Sequence, residues 1–419
     1  MDNLSHVLAG LAIGELIERS LAPEADPHAG RLRRRLLLLT GALGANLPDL
    51  DLVLTGLLPA PLGYLLHHRG HTHTIVFALA QALALMLLLW LLWPGARRLL
   101  GASRSARIGL CAAALIGLGS HLLLDYLNSY GLHPFYPLDG RWLYGDMVFI
   151  LEPVFWFAFG LPLVLMVQAR WLRLALLALF PLFLAWAWYH AYLHWASAAA
   201  LAMLLSALLG TRAAMAGRAR HPLVAGLALA AVFVGVQGWS SGHGKRVLAA
   251  HLQTLDPGSR LLDAALTAFP ANPACWTFAT VELTGEAGPG AQGEVYRLRR
   301  GVLSIAPALL PQAACPAGLN LAVSGGTAAV GMAWQAHTPL ARLRARARNC
   351  HFAAWLRFAR LPHVEQDSAA DIRYGNRGEN FTSFAFARFA GQPCSSGVPG
   401  WSMPREDLLD YASGVPARQ

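Results

Sequence analysis

Long apolar runs alternate with short polar connections over the first 240 residues, and the pattern breaks after that. Seven runs come close to the roughly 20 residues a bilayer span needs: 4–22, 36–58, 74–93, 107–127, 147–168, 172–190 and 222–240. An eighth, 192–210, follows the sixth so closely that it reads as its hairpin partner. The first is the least apolar, since it carries Glu15. Beyond about residue 241, charges, Pro and Gly rise, and short runs of β character appear at Glu294 to Ile305, Leu319 to Ser324, Ala328 to Trp334 and Asn380 to Phe389. The predicted architecture is mainly α. A polytopic membrane helix bundle of about seven to eight spans, with the candidate chemistry, fills 1–240, and an extracytoplasmic α/β or mainly β domain fills 241–419.

Composition supports this division. The chain is 55% hydrophobic and only 13% charged, with a mean hydropathy of +0.42, too apolar for an ordinary soluble protein. The net charge of +10 would fit nucleic acid if it were gathered on one face. Instead Arg19, Arg31, Arg33, Arg34 and Arg35 lie between the first two spans, and Arg97, Arg98, Arg104 and Arg107 between the third and fourth. Arg170 and Arg173 separate the fifth and sixth; Arg212, Arg218 and Arg220 precede the last. The alternate connections hold only Arg69 and Arg141. Such alternation is membrane orientation, and it predicts both termini outside the cytoplasm of a bacterial inner membrane. The expected partner is therefore the lipid bilayer, with no nucleic acid; the oligomeric state is left open. The start lacks a basic region ahead of its apolar run, so no cleavable signal peptide is expected. Cys275, Cys315, Cys350 and Cys394 form an even set in the outer domain, which predicts two disulfides in an oxidising periplasm, with the connectivity open. Cys111 lies within a span.

Ionisable groups at bilayer depth are expensive, which makes each a candidate functional residue. His121 and Asp125 are four apart on one predicted helix and Asn128 three further, so the three share a face. Taken alone, the pair is equally well explained as an interhelical hydrogen bond. Asn46-Leu-Pro-Asp49-Leu-Asp51 interrupts an apolar run; Pro48 breaks the helical ladder where irregular backbone is tolerated only if buried or lining a cavity. Asp49 is the favoured ligand of that segment, and Asp51 an outer or alternative one. His67-His68-Arg69-Gly70-His71-Thr72-His73 precedes the third span; His68 and His73 are candidate ligands, while His67 and His71 read as loop residues. Arg69 can fork onto a phosphate. His6, one turn into the first helix, is a further candidate ligand on the same side, and Asp146 and Glu152 are candidate proton acceptors or ligands of a second metal. Asp139 and Arg141 read as a solvated turn, and His190 and His194 as part of an interfacial aromatic belt.

As a set and in this order, His6, Asn46-Leu-Pro-Asp49-Leu-Asp51, His68-Arg69-Gly70…Thr72-His73-Thr74 and His121…Asp125…Asn128…Gly131 resemble the YdjM-type inner-membrane proteins over roughly residues 1–160. Thr74 stands where that family typically has Ser and keeps the hydroxyl. The resemblance implies a metal-dependent hydrolase. The His121 helix, with His133 downstream, also resembles the metal-binding helix of zinc-dependent phospholipase C. That likeness implies Asp125 as a bridging ligand, His121 as a terminal one and His133 as a ligand of another metal.

The expected protein is a membrane metallohydrolase holding one to three divalent ions, zinc above all. Its ligands are drawn from His6, Asp49, Asp51, His68, His73, His121, Asp125 and His133. Arg69, Asn128, Asp146 and Glu152 are its expected catalytic residues. Zinc would lower the pKa of water to ~7, and a site facing headgroups makes a lipid or lipid-linked ester or phosphodiester the expected substrate. The alternatives are a transporter or proton/metal pathway, for which no paired broken helices or internal repeat are visible, and a structural or sensory membrane protein.

Overall fold

The computed structural model describes residues 1–214, 220–284, 294–319, 321–375 and 380–409. Arg218 falls outside them. The N-terminal part is helical. Helices α1 (Asn3–Ser20) and α2 (Pro27–Gly44) form an antiparallel pair started by Asp2, which accepts from Ser5 N, and by Asp26, which accepts from His28 N and Ala29 N. The pair is welded by small residues. A Cβ on Gly10 would stand 2.3 Å from the Gly41 carbonyl oxygen, and one on Gly41 2.2 Å from that of Gly10. Backbones approach this closely only through glycine, as in the small-residue interfaces of membrane helices.

The run predicted at 36–58 is two elements. Helix α2 stops at Gly44, and a chain of 3₁₀ turns covers Leu47–Leu57, because Pro48 at its start cannot donate to a helical ladder. A short helix α3 (Leu62–His67) and a single 3₁₀ turn (His71–His73) lead into α4 (Ile75–Leu92), α5 (Pro94–Ala102) and the long α6 (Arg104–Tyr126). The 147–168 run is helical only from Pro153: α7 (Pro153–Phe155) and α8 (Leu161–Leu165) flank a π turn at Trp156–Gly160. Helices α9 (Arg170–Tyr189) and α10 (Trp195–Ala214) form the expected hairpin. Helix α11 (His221–Leu255) runs 35 residues without a break across position 240.

Among the described residues, five stretches are helical, long and apolar enough to cross a membrane by length and composition: Pro27–Leu57, Ile75–Leu92, Arg104–Tyr126, Arg170–Tyr189 and His221–Leu255. Pro153–Leu165 and Trp195–Gly210 are shorter apolar helices. Leu79, Leu83, Leu87, Leu92, Trp171 and Leu182 are exposed on these helices, as a lipid-facing surface requires.

The C-terminal part is built on a five-stranded antiparallel sheet in the order β1-β2-β3-β5-β4: β1 (Ser259–Phe269), β2 (Asn272–Thr284), β3 (Val295–Ser304), β4 (Gly325–Gly326) and β5 (Val330–Pro339). The run at Glu294 to Ile305 is β3, and that at Ala328 to Trp334 starts β5. The two longest strands, β1 and β2, were not expected. The run at Leu319 to Ser324 is not a strand in its described residues, and that at Asn380 to Phe389 holds only the two-residue β8 (Phe384–Ala385) and a 3₁₀ turn. Helices α12 (Leu340–Ala347) and α13 (Cys350–Leu356) and a small sheet of β6 (Pro362–Val364), β7 (Ser368–Asp371) and β8 complete the domain. Disulfides join Cys275 to Cys315 and Cys350 to Cys394, and Cys111 is free.

The two parts share cores. The end of α11 buries Leu248 and Leu252 against Leu266, Trp276 and Leu303 of the sheet. Another core joins Leu62, Leu65, Leu66, Tyr130 and Trp142 of the helical part to Trp355, Phe358, Phe384 and Trp401 of the C-terminal part. That second core sets the C-terminal part against the loops that carry the polar constellation.

Candidate metal centre

Four of the predicted ligands converge. One oxygen each of Asp49 and Asp125 and one nitrogen each of His73 and His121 lie within 4.8 Å of one another. The broken run after α2 delivers Asp49, the 3₁₀ turn before α4 delivers His73, and the last turns of α6 deliver His121 and Asp125. Three of the four side chains are buried; Asp49 is 14% exposed.

The same four atoms face inward in every pair. His73 Nε2 is 3.5 Å from Asp49 Oδ1 and 3.3 Å from Asp125 Oδ2. His121 Nε2 is 3.6 Å from both of those oxygens, and the two Nε2 atoms are 3.0 Å apart. A tetrahedral ion with ligands at about 2.1 Å has ligand–ligand edges of about 3.4 Å. The donor set and its spacing therefore fit a divalent cation.

Hydrogen bonds behind the ligands fix which atoms are free to bind. His121 Nδ1 lies 2.7 Å from the Ala45 carbonyl oxygen, which can only accept, so Nδ1 carries the proton and Nε2 presents its lone pair. His73 Nδ1 is 3.1 Å from Asp51 Oδ2, the carboxylate–histidine arrangement that orients metal-bound imidazoles. Asp51 also takes the Arg69 backbone N–H at 2.9 Å, the Thr72 hydroxyl at 2.7 Å and His68 Nδ1 at 3.1 Å. It stands one layer behind the four, and His68 is held on its far oxygen rather than in the group. Arg69 adopts φ +57°, a left-handed conformation that costs a non-glycine residue energy; the turn aims its backbone N–H at Asp51 and its side chain at Asp125.

Charge is unbalanced here. Three carboxylates, Asp49, Asp51 and Asp125, gather near two permanent cations, both on Asp125 Oδ1: the Arg69 guanidinium, whose Nη2 is 2.9 Å away, and the α-amine of Met1. Burial opposes a charged His73, yet the carboxylates of Asp125, Asp49 and Asp51 around it push its pKa up to about 10. The carboxylates thus hold a proton on His73 in the absence of another cation. Asp125 Oδ2 and both nitrogens of His6 make no hydrogen bond. His6 is fully buried, stacked on His121 at 4.0 Å with its Nε2 3.3 Å from Asp125 Oδ1, adjoining the group without being one of the four.

The remaining predicted residues divide. Asn128 adjoins the group, accepting from Arg69 Nη1 at 3.1 Å. His133 is outside it: the ring is buried 3.9 Å from that of Trp401 and 4.6 Å from that of Trp142, and burial pushes its pKa down to about 3. Asp146 and Glu152 are occupied by residues far along the chain. Asp146 is clamped by Arg360 at 2.8 and 2.9 Å and by Lys245 at 2.7 Å. Glu152 caps α7 through Val154 N and takes the Ala271 N–H from the β1–β2 turn, both at 3.1 Å. Neither carboxylate is free to accept a proton at the metal group. Sequence reasoning missed Tyr130, whose ring lies 4.5 Å under the Arg69 guanidinium, and Trp401, whose indole N–H donates to the Leu66 carbonyl. An aromatic two residues past Asn128 was the available signal for the first; nothing local marked the second.

The helices and the group together define a membrane protein with a candidate metal centre at one end of its helical bundle. Residues 1–196 match the family model described as YdjM inner membrane protein, which supports the YdjM-type resemblance of its motifs, and the match runs past the 160 residues those motifs cover. The chain is also 26% identical over 172 residues to the uncharacterized protein YfhP of Bacillus subtilis (strain 168), a match covering 39% of this chain and 48% of that relative. The chain therefore spans about half the length of the curated relative it matches. No solved structure matches the chain, and the likeness to phospholipase C rests on the His121 helix alone.

Proposed function

We propose that this chain is a metal-dependent hydrolase of the bacterial inner membrane, cleaving an ester or phosphodiester bond in a lipid or lipid-linked substrate. The observation that carries the reading is the convergence of Asp49 Oδ1, His73 Nε2, His121 Nε2 and Asp125 Oδ2. These residues would hold a divalent cation, zinc by donor type, with Asp51 and the Ala45 carbonyl orienting the imidazoles. Such a cation supplies Lewis acidity and lowers the pKa of water to ~7. Arg69 steadies negative charge from its place on Asp125, and Asn128 orients Arg69 through its carboxamide oxygen.

The direction of access supports a lipid. Asp49, the most exposed of the four, sits in the 3₁₀ segment whose Leu50, Val53 and Leu57 are 60%, 80% and 67% exposed. A wide apolar surface beside a metal group suits an amphiphile whose tails stay in the bilayer while its headgroup reaches inward. The two disulfides and the Arg pattern support a periplasmic outer domain.

The test is hydrolysis by detergent-purified, zinc-loaded protein presented with panels of phospholipids and lipid-linked phosphates. Release of a headgroup or phosphate, lost in His121→Ala, is expected. Inertness towards every panel while elemental analysis still finds bound metal would overturn the substrate claim.

A further inference from the structure

Beside the four ligands lies a set of polar atoms that a metal would not satisfy. Asn128 Oδ1 accepts from Arg69 Nη1 at 3.1 Å and from Tyr130 N at 2.8 Å, which fixes the carboxamide and leaves its Nδ2 without a partner. The Nε of Arg69 and the hydroxyl of Tyr130 are likewise buried and unpartnered. These three side chains are 4%, 3% and 7% exposed, respectively for Asn128, Arg69 and Tyr130. From the outer domain, Tyr374 brings its ring to 6.1 Å from that of Tyr130, and its hydroxyl is also buried without a partner.

Buried donors are almost always matched to acceptors, so a group of unmatched ones marks the place of an absent acceptor. All four groups can donate, one belongs to a guanidinium, and none is a carboxylate. That chemistry selects an anion rich in oxygen rather than a cation or a neutral amide. This set of donors touches the metal group through Arg69, which bonds Asp125 Oδ1 at 2.9 Å. It is rimmed by Phe381, 44% exposed, which packs on Tyr374 at 4.5 Å and on Tyr64 at 5.6 Å.

Resting on the hydrolase reading above, we propose that Arg69, Asn128 and Tyr130, completed by Tyr374, bind the phosphate group of the substrate. The outer domain then builds part of the recognition site instead of merely covering it. Its neighbour Arg373 fixes Tyr374 in place, donating to the Ser129 and Tyr130 carbonyls at 2.8 and 3.0 Å while its own charge is matched by Asp371.

The experiment uses the full chain in detergent, zinc-loaded, as wild type and as the double variant Tyr130→Phe with Tyr374→Phe. The change removes two hydroxyls and keeps both rings. Binding is read by calorimetry in two arms, inorganic phosphate and mixed micelles containing phosphatidic acid, with metal content measured alongside. The variant is expected to bind roughly tenfold more weakly or worse, as loss of two hydrogen bonds implies, with unchanged metal content. Weakening in both arms supports recognition of phosphate itself; weakening in the micelle arm alone supports it with a lipid headgroup as the source. Equal affinity of variant and wild type in both arms, or no binding by wild type in either, overturns the proposal and leaves the metal reading standing. Absence of metal from the wild type would sink the hydrolase reading, while the phosphate arms would still decide the pocket.

Discussion

Two of the clusters of buried charge among the described residues differ in how completely they are satisfied. Between the domains, Arg360 spans Asp146 and Asp263, and Lys245 adds a second cation on Asp146. Arg373 and Asp371 make a closed pair beside them. Cations at least match anions in that network, with Arg405 also on Asp263, and the carboxylate oxygens of Asp146, Asp263 and Asp371 all have partners. In the metal centre carboxylates outnumber the permanent cations Arg69 and the Met1 amine, two imidazole nitrogens face each other at 3.0 Å, and Asp125 Oδ2 has no hydrogen bond. Burial alone therefore does not distinguish function from architecture. A buried charge set that closes on itself holds domains together; one left with unspent lone pairs is built for something that comes from outside.

The sharpest way to break the comparison is Asp125→Asn. It keeps the shape and removes one ligand charge, so metal affinity is expected to fall roughly a hundredfold or more, beyond the 10–100-fold typical of residues behind the ligands. Elemental analysis after gel filtration reads it. Metal bound at the wild-type ratio would place the cation elsewhere.

Asp146→Ala should do the opposite. It leaves Arg360 and Lys245 short of an anion, and breaking a buried pair costs about 3–5 kcal/mol. The expected result is a clearly lower unfolding midpoint and faster proteolysis between the domains, with metal per folded chain unchanged. Loss of metal without loss of stability would return Asp146 to the site. Asp51→Asn tests the layer behind the ligands: a 10–100-fold drop in metal affinity is expected, because His73 loses its carboxylate partner.

Much of the centre was legible in the sequence because its logic is local. His121 and Asp125 share a helical face through their spacing, and Pro48 marks the break that swings Asp49 inward. What could not be read is which polar residues close on partners far along the chain. Asp146 and Glu152 look like catalytic carboxylates until Arg360, 214 residues away, and Ala271, 119 away, are seen to occupy them. Asp51 and His68 sit in ligand-like positions, and only the three-dimensional direction of each lone pair separates them from Asp49 and His73. Strands β1 and β2 were missed for a related reason. They are rich in Ala, Leu and Thr and are largely buried, so they lack the clean alternation of a half-exposed strand.

Acidification should separate the two clusters in order. Metal binding requires unprotonated imidazoles, so metal should be lost as the pH falls through the range where histidine competes for protons. At the domain interface, burial tends to raise the Asp263 pKa, but Arg360, Arg405 and Lys245 hold it at about 2. A carboxylate depressed in the folded state contributes stability that is full above its unfolded value, about 3.9, and fades as pH falls through the folded one. At pH 5 the expected protein is metal-depleted yet still docked, as metal analysis and limited proteolysis on one sample would show. Undocking at a higher pH than metal release would reverse the assignment of the two clusters.

The smallest expected effect is at Glu152. Its carboxylate accepts from Val154 N at the start of α7 and from Ala271 N at the tip of the β1–β2 turn, so it latches the sheet to the helical part. Glu152→Gln keeps one acceptor oxygen for these N–H groups, so the change costs about 1 kcal/mol. A shift of a few degrees in the unfolding midpoint is expected, with metal content and turnover unchanged. A residue that accepted the reaction's proton would behave otherwise: its amide variant would lose turnover by orders of magnitude at unaltered stability. The ratio of those two readouts places Glu152 on one side of the comparison or the other.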